Sequence, residues 1–481
     1  VQRLFINNLL LVLALNLLVK PFYILGIDAG VQRAVGSAAY GGYAALMSLS
    51  FLLNIVLDLG ITNYNTRNVA RHTHLMAKYL SGIAGLRVLL MVVYALLTVG
   101  AGLLLGYRGG ELGMLGWLVL NQGLSATTLY LRSNIAGAQR YRQDSVIGVL
   151  DRVLLIAVLG WLLWGRAEGS EAFRIEWFVY AQTGAYALTA LTALVLTLRL
   201  SGRIMPRWKP VFGWMVVRQS LPYALLILLM TFYYRTDTLM LERMLPDGAL
   251  QAGIYAQGFR FFEAFNMLGF VVAGLLLPMF SRMLKAGEDV SGLATLALRL
   301  VLVAAVATAV FASMNARAVM DLRYDEHTGR SAPAFAVLMW CFTAVCITYV
   351  FGTLLTARGD LRRLNLMAAG GALLNVGLNL VLIPRWQAEG AAWASLATQG
   401  LTAAVQVALA APLITSGYLR GPLLRAVPFT AGLVALAMGL QALPVGLVVA
   451  ALLFGPLALA WAVACGLLRR SDLSLHTIPA G

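Results

Sequence analysis

Long apolar runs, broken by short clusters of charged residues, glycine and proline, set the pattern of this chain. The runs fall at about 4–26, 36–60, 81–106, 112–133, 145–164, 176–199, 220–242, 253–284, 293–313, 332–356, 365–384, 389–412, 424–442 and 444–468. A helix crosses a bilayer with roughly 20 predominantly apolar residues, so each run is about long enough to span. The pattern predicts an all-α polytopic membrane protein with about fourteen transmembrane helices. The first run exceeds a signal-peptide core and carries no small-residue cleavage site, so it reads as the first span. An even number of spans places both ends on one side of the membrane.

Composition agrees. Of 481 residues, 60% are apolar and 12% charged, with a mean hydropathy of +0.81. A soluble domain carries about a quarter charged residues, so a soluble multidomain enzyme is excluded. No polar stretch is long enough for the soluble part of a single-span protein. The three cysteines are too few for a disulfide framework and read as small core residues. The four histidines show no metal-ligand spacing and no glycine-rich phosphate loop occurs, so neither a metal nor a cofactor is expected.

The net charge of +16 would suggest nucleic acid in a soluble protein, but here the first reading is topology. With the N-terminus inside, twenty basic residues fall in cytoplasmic segments and nine in outer loops, the latter among acids such as Glu168, Glu171, Asp325 and Glu326. This predicts both termini in the cytoplasm and no nucleic-acid partner. Seven basic residues remain within the runs: Lys20, Arg87, Arg132, Arg152, Arg235, Arg260 and Arg299. Only Asp58, Asp151, Asp237 and Glu263 accompany them clearly inside the runs, away from their ends. The membrane interior therefore carries an excess of cations.

The chain also repeats itself. Gly41-x-Tyr43-Ala44 recurs as Gly253-x-Tyr255-Ala256, and Leu86-Arg87 as Leu298-Arg299, both at an offset of 212 residues. Six spans separate the copies, so the repeats run parallel. The expected organisation is an N-terminal lobe at 1–200 (spans 1–6), a basic amphipathic linker at 201–219, a C-terminal lobe at 220–413 (spans 7–12) and two added spans at 424–468.

Ionisable groups in a bilayer normally face a cavity or a partner. In span 8, Arg260 and Glu263 share a helical face, with Tyr255, Phe259 and Phe262 on the neighbouring stripe. A guanidinium suits phosphate and aromatic rings suit sugar faces. An intrahelical salt bridge with packing aromatics is the plainer alternative. Arg235 and Asp237 in span 7 lie on nearly opposite faces, each open to a partner on another helix. Tyr43 in span 2 faces a polar interior together with Asp58, and Lys20 lies toward the outer end of span 1. Lys20, Tyr43, Arg235, Tyr255, Arg260 and Glu263 are thus the candidate substrate-binding residues. Asp58 and Asp237 are candidates for a protonatable coupling group, Asp58 having a helix-end role as its alternative. Arg67, Arg87 and Arg299, near the inner surface, are candidate phosphate contacts. Asp151-Arg152 receives no role, and Asn121, Asn266, Asn375 and Asn379 read as bonds between helices.

Tyr40-Gly41-Gly42-Tyr43, Asp58-Leu59-Gly60, Arg67-Asn68-Val69-Ala70, Arg235-Thr236-Asp237 and the stretch from Gly253-Ile254-Tyr255-Ala256 to Pro278-Met279-Phe280-Ser281 carry a further signal. In order and spacing the chain resembles the Wzx-like polysaccharide flippases of the multidrug/oligosaccharidyl-lipid/polysaccharide exporter superfamily. The resemblance implies two six-helix lobes around a central cavity, plus two C-terminal helices, in a bacterial inner membrane. It implies alternating access that carries an undecaprenyl-diphosphate-linked oligosaccharide to the outer leaflet for cell-surface polysaccharide. The expected partners are that anionic lipid-linked substrate, membrane lipid, and glycosyltransferases and a polymerase of the same pathway. A lipid II flippase or a multidrug exporter of the same superfamily is the alternative. A membrane-embedded polymerase or ligase is disfavoured, since the outer segment Asn315–Ser331 is short and reads as a solvated loop.

Overall fold

The computed structural model describes residues 18–62, 65–66, 69, 76–167, 171–201, 210–415 and 417–468. Among these residues all regular structure is helical. A π-helical turn, Tyr23–Asp28, leads into α1 (Ala29–Val35), followed by α2 (Ser37–Leu52), α3 (Met76–Leu104), α4 (Gly110–Gly137), α5 (Tyr141–Trp164), α6 (Ile175–Ser201) and α7 (Pro210–Met244). The second half holds α8 (Gly248–Ala286), α9 (Ser291–Met314), α10 (Ala316–Arg323), α11 (Thr328–Arg358), α12 (Leu361–Ala410), α13 (Arg420–Gln441) and α14 (Leu447–Ala464). Ten helices among the described residues are long and apolar enough to cross a membrane: α3, α5 to α9 and α11 to α14. The chain is a multi-pass membrane protein. The apolar runs coincide with helices throughout the described part; most of the first run, the proline-rich start of the basic linker and the C-terminal tail lie outside it.

The fourteen α-helices are not the fourteen runs. Helix α10 is an extra surface helix, and α12 joins two runs. At about 1.5 Å per residue an unbroken helix of 50 residues would reach about 75 Å, well beyond a bilayer. It breaks at Gln387 (φ 51, ψ −128), just after Pro384. The chain there folds back so tightly that a Cβ on Gly390 would stand 2.3 Å from the Leu382 carbonyl oxygen. Eight residues of straight helix would hold those positions about 12 Å apart. The turn therefore divides α12 into two span-length halves, as the apolar pattern requires.

Two compact units make up the chain, residues 1–256 and 257–481. In the first, α2 packs on α7 and α4 on α6. Helix α4 buries Asn121, Gln122, Ser133 and Asn134, and polar groups in a bilayer need internal partners. The Thr183 hydroxyl donates to Asn121 Oδ1 at 2.6 Å, joining α6 to α4. After α2 a short 3-10 turn (Asn54–Leu57) ends at Leu59 (φ 44) and Gly60 (φ 81), which deflect the chain.

In the second unit α11 is the central helix, flanked by α9 and α12, with Cys341 and Cys346 buried in its core. Helices α13 and α14 pack on α9. The segment expected as a solvated loop contains α10, amphipathic by sequence: Met320 is buried while Arg317 and Asp321 pair at 2.9 Å on the exposed side. The Asp321 carboxyl is held below its ordinary pKa by a bond from the Thr328 hydroxyl and then by Arg317.

Candidate functional site

The first unit contains a buried polar network built around the π-helical turn. Such turns insert an extra residue into a helix and often mark functional sites; this one follows Pro21, which has no amide proton to donate. It places Asp28 in the interior, where Tyr40 Oη donates to its Oδ1 at 2.7 Å. The Tyr40 ring lies 5.6 Å from that of Tyr43, which stands edge-on to Phe178 at 5.2 Å. Tyr43 Oη accepts from Gln182 Nε2 at 2.9 Å.

On α5, the Arg152 guanidinium lies 4.7 Å from the centroid of Tyr23 and 5.8 Å from that of Tyr186, and its Nη1 donates to Tyr186 Oη at 3.1 Å. Its sequence neighbour Asp151 is 3.8 Å away, a loose ion pair. Lys20 is within electrostatic reach of Arg152, Asp151 and Arg132. Arg132 is taken up by Asp144 in a two-pronged pair at 2.7 and 3.2 Å. Lys20, Arg152 and Asp151 thus share one neighbourhood.

Asp237 and Tyr255 form a second Asp–Tyr bond, Tyr255 Oη donating to Asp237 Oδ2 at 2.9 Å with both side chains fully buried. The Arg235 guanidinium lies 4.7 Å from the centroid of the Phe51 ring of α2. The repeat glycines meet as well. A Cβ on Gly41 would lie 1.8 Å from Ala249 O, and one on Gly253 would lie 1.8 Å from Ser37 O. Gln32 Nε2 adds a bond to Gly253 O at 2.8 Å. Ser37-x3-Gly41 and Ala249-x3-Gly253 therefore cross backbone to backbone, as small residues four apart allow.

Near the short turn after α2, Arg87 faces inward. It pairs with Asp58 at 3.3 Å, donates to Ala126 O at 2.7 Å and covers the Tyr130 ring at 4.7 Å. Asp58 also accepts from the Thr62 amide and hydroxyl. Arg87, a candidate phosphate contact, thus has internal partners in this structure, and Asp58, a candidate coupling group, is engaged at the turn after α2. Arg67 lies outside the described residues. In the second unit, Arg260 and Glu263 form a hydrogen-bonded ion pair across one turn of α8, and Arg299 sits half-buried on α9. Phe261 and Phe265 of α8 pack on Phe335 and Phe342 of α11, at 5.1 and 5.9 Å.

A cleft of about 590 Å³ opens beside Tyr43 in the first unit, bounded by α2, α4, α6 and the end of α7. Its wall includes Tyr107, whose Oη donates to Glu242 Oε2 at 2.8 Å; Arg243 pairs with the same oxygen at 2.6 Å and lies 3.6 Å from the Tyr107 ring centroid.

The sequence profile of the family described as "Polysaccharide biosynthesis protein" matches residues 7–284, more than half of the chain. The chain belongs to this family. A comparison with curated proteins finds no match. Solved structures share the family member's fold at low identity. It is similar to the lipid II flippase MurJ in an inward closed conformation, at 11% identity and TM-score 0.71, covering 92% of this chain and 96% of that one. It is similar to an inward-facing multidrug resistance MATE transporter of the MOP superfamily, at 13% identity and TM-score 0.61, covering 85% and 99%. A MATE transporter from Vibrio cholerae matches at 15% identity and TM-score 0.57, covering 87% and 98%. The two-lobed MurJ/MATE-like fold expected from the repeats is thus the fold of this family member.

Sequence reasoning missed Asp28 and Arg152. Asp28 lies just beyond the boundary drawn for the first apolar run, although Tyr23–Val35 continues as helix. Arg152 received no role as one of an adjacent pair near the end of a run; it lies 3.8 Å from Asp151 and contacts two tyrosines.

Proposed function

We propose that this protein carries an undecaprenyl-diphosphate-linked oligosaccharide from the cytoplasmic to the outer leaflet of a bacterial inner membrane, by alternating access and with both termini in the cytoplasm. The product serves synthesis of a cell-surface polysaccharide such as O-antigen, exopolysaccharide or capsule, drawing substrate from glycosyltransferases and delivering it to a polymerase. The observation that carries the reading is the Arg152 guanidinium, held between the Tyr23 ring and the Tyr186 hydroxyl with only a 3.8 Å contact to Asp151, inside a member of the polysaccharide biosynthesis family. A diphosphate needs cations that are not already matched one for one, and a low-dielectric surrounding strengthens their hold. Arg235, whose guanidinium lies over the Phe51 ring, and Arg260, whose ion pair with Glu263 the phosphate would have to share, are further candidate contacts, with Tyr43 on the cleft wall and Tyr255 buried behind Asp237. Arg299 remains the candidate for an inner phosphate contact, and Asp237 for coupling.

The test is leaflet exchange of a fluorescent lipid-diphosphate oligosaccharide in proteoliposomes. A charge-assisted hydrogen bond is worth about 1.5–3 kcal/mol, so Arg152→Ala, Arg235→Ala or Arg260→Ala should each slow exchange roughly tenfold or more while the protein stays folded. Full activity in all three would remove the site assignment; no exchange by the wild type would remove the transport reading. The likeness to MurJ favours lipid II as the second substrate to test, and preference for lipid II over the oligosaccharide lipid would replace the first reading with that one.

A further inference from the structure

The cleft beside Tyr43 has the opposite electrical character to the rest of this cationic chain. Glu111, Glu176 and Glu242 line it. Glu242 is matched by Arg243, but Glu111 and Glu176 are exposed and enter no ion pair among the described residues. Trp117 and Tyr180 line the same cleft as a T-shaped pair with ring centroids 5.1 Å apart, both residues over 40% exposed. First-turn acids offset a helix dipole, which accounts for the two glutamates as helix starts on α4 and α6. It does not account for exposed aromatic rings in the same cleft, or for a cleft whose volume falls within the range of about 300–1,000 Å³ typical of ligand sites.

We infer that this cleft is a subsite for the glycan of the transported lipid, taking an uncharged or amine-bearing sugar and disfavouring a uronate. Rings of this kind pack on the C–H faces of a pyranose, as they pack on other apolar surfaces. Carboxylates accept from sugar hydroxyls, more strongly from an ammonium, and repel a second carboxylate. The Tyr107–Glu242–Arg243 cluster fixes part of the wall, so the site is largely formed before a ligand enters. The inference rests on the transport reading: with both termini inside, the loops ahead of α4 and α6 lie on the outer side, where the glycan must emerge.

The experiment uses the full chain in nanodiscs and titrates three soluble probes by calorimetry: diacetylchitobiose, the glucosamine disaccharide, and an unsaturated hyaluronan disaccharide bearing a uronate. The expected order is glucosamine disaccharide tightest, diacetylchitobiose next, and the uronate at least tenfold weaker than either. Trp117→Ala should abolish binding and Trp117→Phe restore part of it. The Glu111→Gln/Glu176→Gln variant should weaken the amine probe roughly tenfold and relieve the exclusion of the uronate. Thermal unfolding verifies that each variant is folded; any that is not is replaced by Tyr180→Ala. Equal binding of all three probes, binding that survives loss of the aromatic ring, or no saturable binding would overturn the subsite. Lipid exchange separates the two failures: exchange without sugar binding sinks the subsite alone, whereas sugar binding without exchange of any lipid-linked glycan sinks the transport reading and the subsite's assignment with it.

Discussion

Replacing Gly41 by alanine puts a methyl carbon 1.8 Å from the carbonyl oxygen of Ala249 and 2.5 Å from the amide nitrogen of Gly253. A relaxed carbon–oxygen contact is about 3.3–3.6 Å, so the two helices must separate by roughly 1.5 Å. Both obstructing atoms belong to the backbone and cannot rotate aside. Overpacking of this kind costs about 1–3 kcal/mol, against which alanine returns about 0.5–1 kcal/mol of helix preference over glycine. The neighbouring Gly42 is the internal control, because a Cβ there meets nothing within 4 Å. Gly41→Ala should therefore destabilise by about 1–2 kcal/mol and Gly42→Ala should be neutral or slightly stabilising. For a unit of this size that is a fall of about 2–8 °C in the unfolding midpoint, measured by tryptophan fluorescence in detergent. Gly253→Ala relieves and suffers through the same crossing, so the Gly41→Ala/Gly253→Ala double variant should lose clearly less than the sum of the two singles. Equal midpoints for Gly41→Ala and Gly42→Ala would refute the close approach, and strictly additive losses would refute the shared crossing.

Three further outcomes follow from the geometry. Arg87→Ala should destabilise by about 2–3 kcal/mol, short of the ~3–5 kcal/mol for a fully buried pair because the Asp58 side chain is 29% exposed; pairing it with Asp58→Asn should recover part of the loss, and a double variant worse than the sum would contradict the clamp. Tyr40→Phe and Tyr255→Phe each remove a bond to a buried aspartate and should cost about 1.5–3 kcal/mol by thermal or denaturant unfolding; losses under 0.5 kcal/mol in both would show that neither bond persists. The Asp289 carboxyl, bonded by the side chain and then the amide of Ser291 ahead of α9, is held below its ordinary pKa. Its contribution to stability is complete above the unfolded value of about 3.9 and disappears as pH falls through the lower folded value. Carbon-13 NMR of the carboxyl should give a midpoint below 3.9, moved upward by Ser291→Ala; a midpoint at or above 3.9 would contradict the contacts.

Helices were legible because a bilayer demands long apolar runs, and even the division of α12 showed as a polar interruption at Pro384–Gly390. Crossing partners were not legible from run lengths, yet the repeated Gly41 and Gly253 were visible and proved to be neighbours. Site residues were harder for a physical reason. Period and spacing identify which residues share a helical face, as with Arg260 and Glu263, but not which way a long side chain turns. Arg87 could reach headgroups or fold inward; the Asp58 carboxylate and the Tyr130 ring decided that, and both lie on other segments. The cleft escaped entirely, since Glu111, Glu176, Trp117 and Tyr180 lie on two helices whose packing no run length discloses.

The two aspartate–tyrosine bonds, Asp28 with Tyr40 and Asp237 with Tyr255, occupy like places in the two repeats but are not matched letter for letter. At the offset of 212 residues, Asp28 falls opposite Met240 and Asp237 opposite Leu25. The tyrosine follows its aspartate by 12 residues in one copy and by 18 in the other. What the two copies share here is a bond between consecutive helical segments, reached through different registers. A search for internal symmetry by aligned letters passes over such a pair; a search by which polar atoms meet in three dimensions finds it.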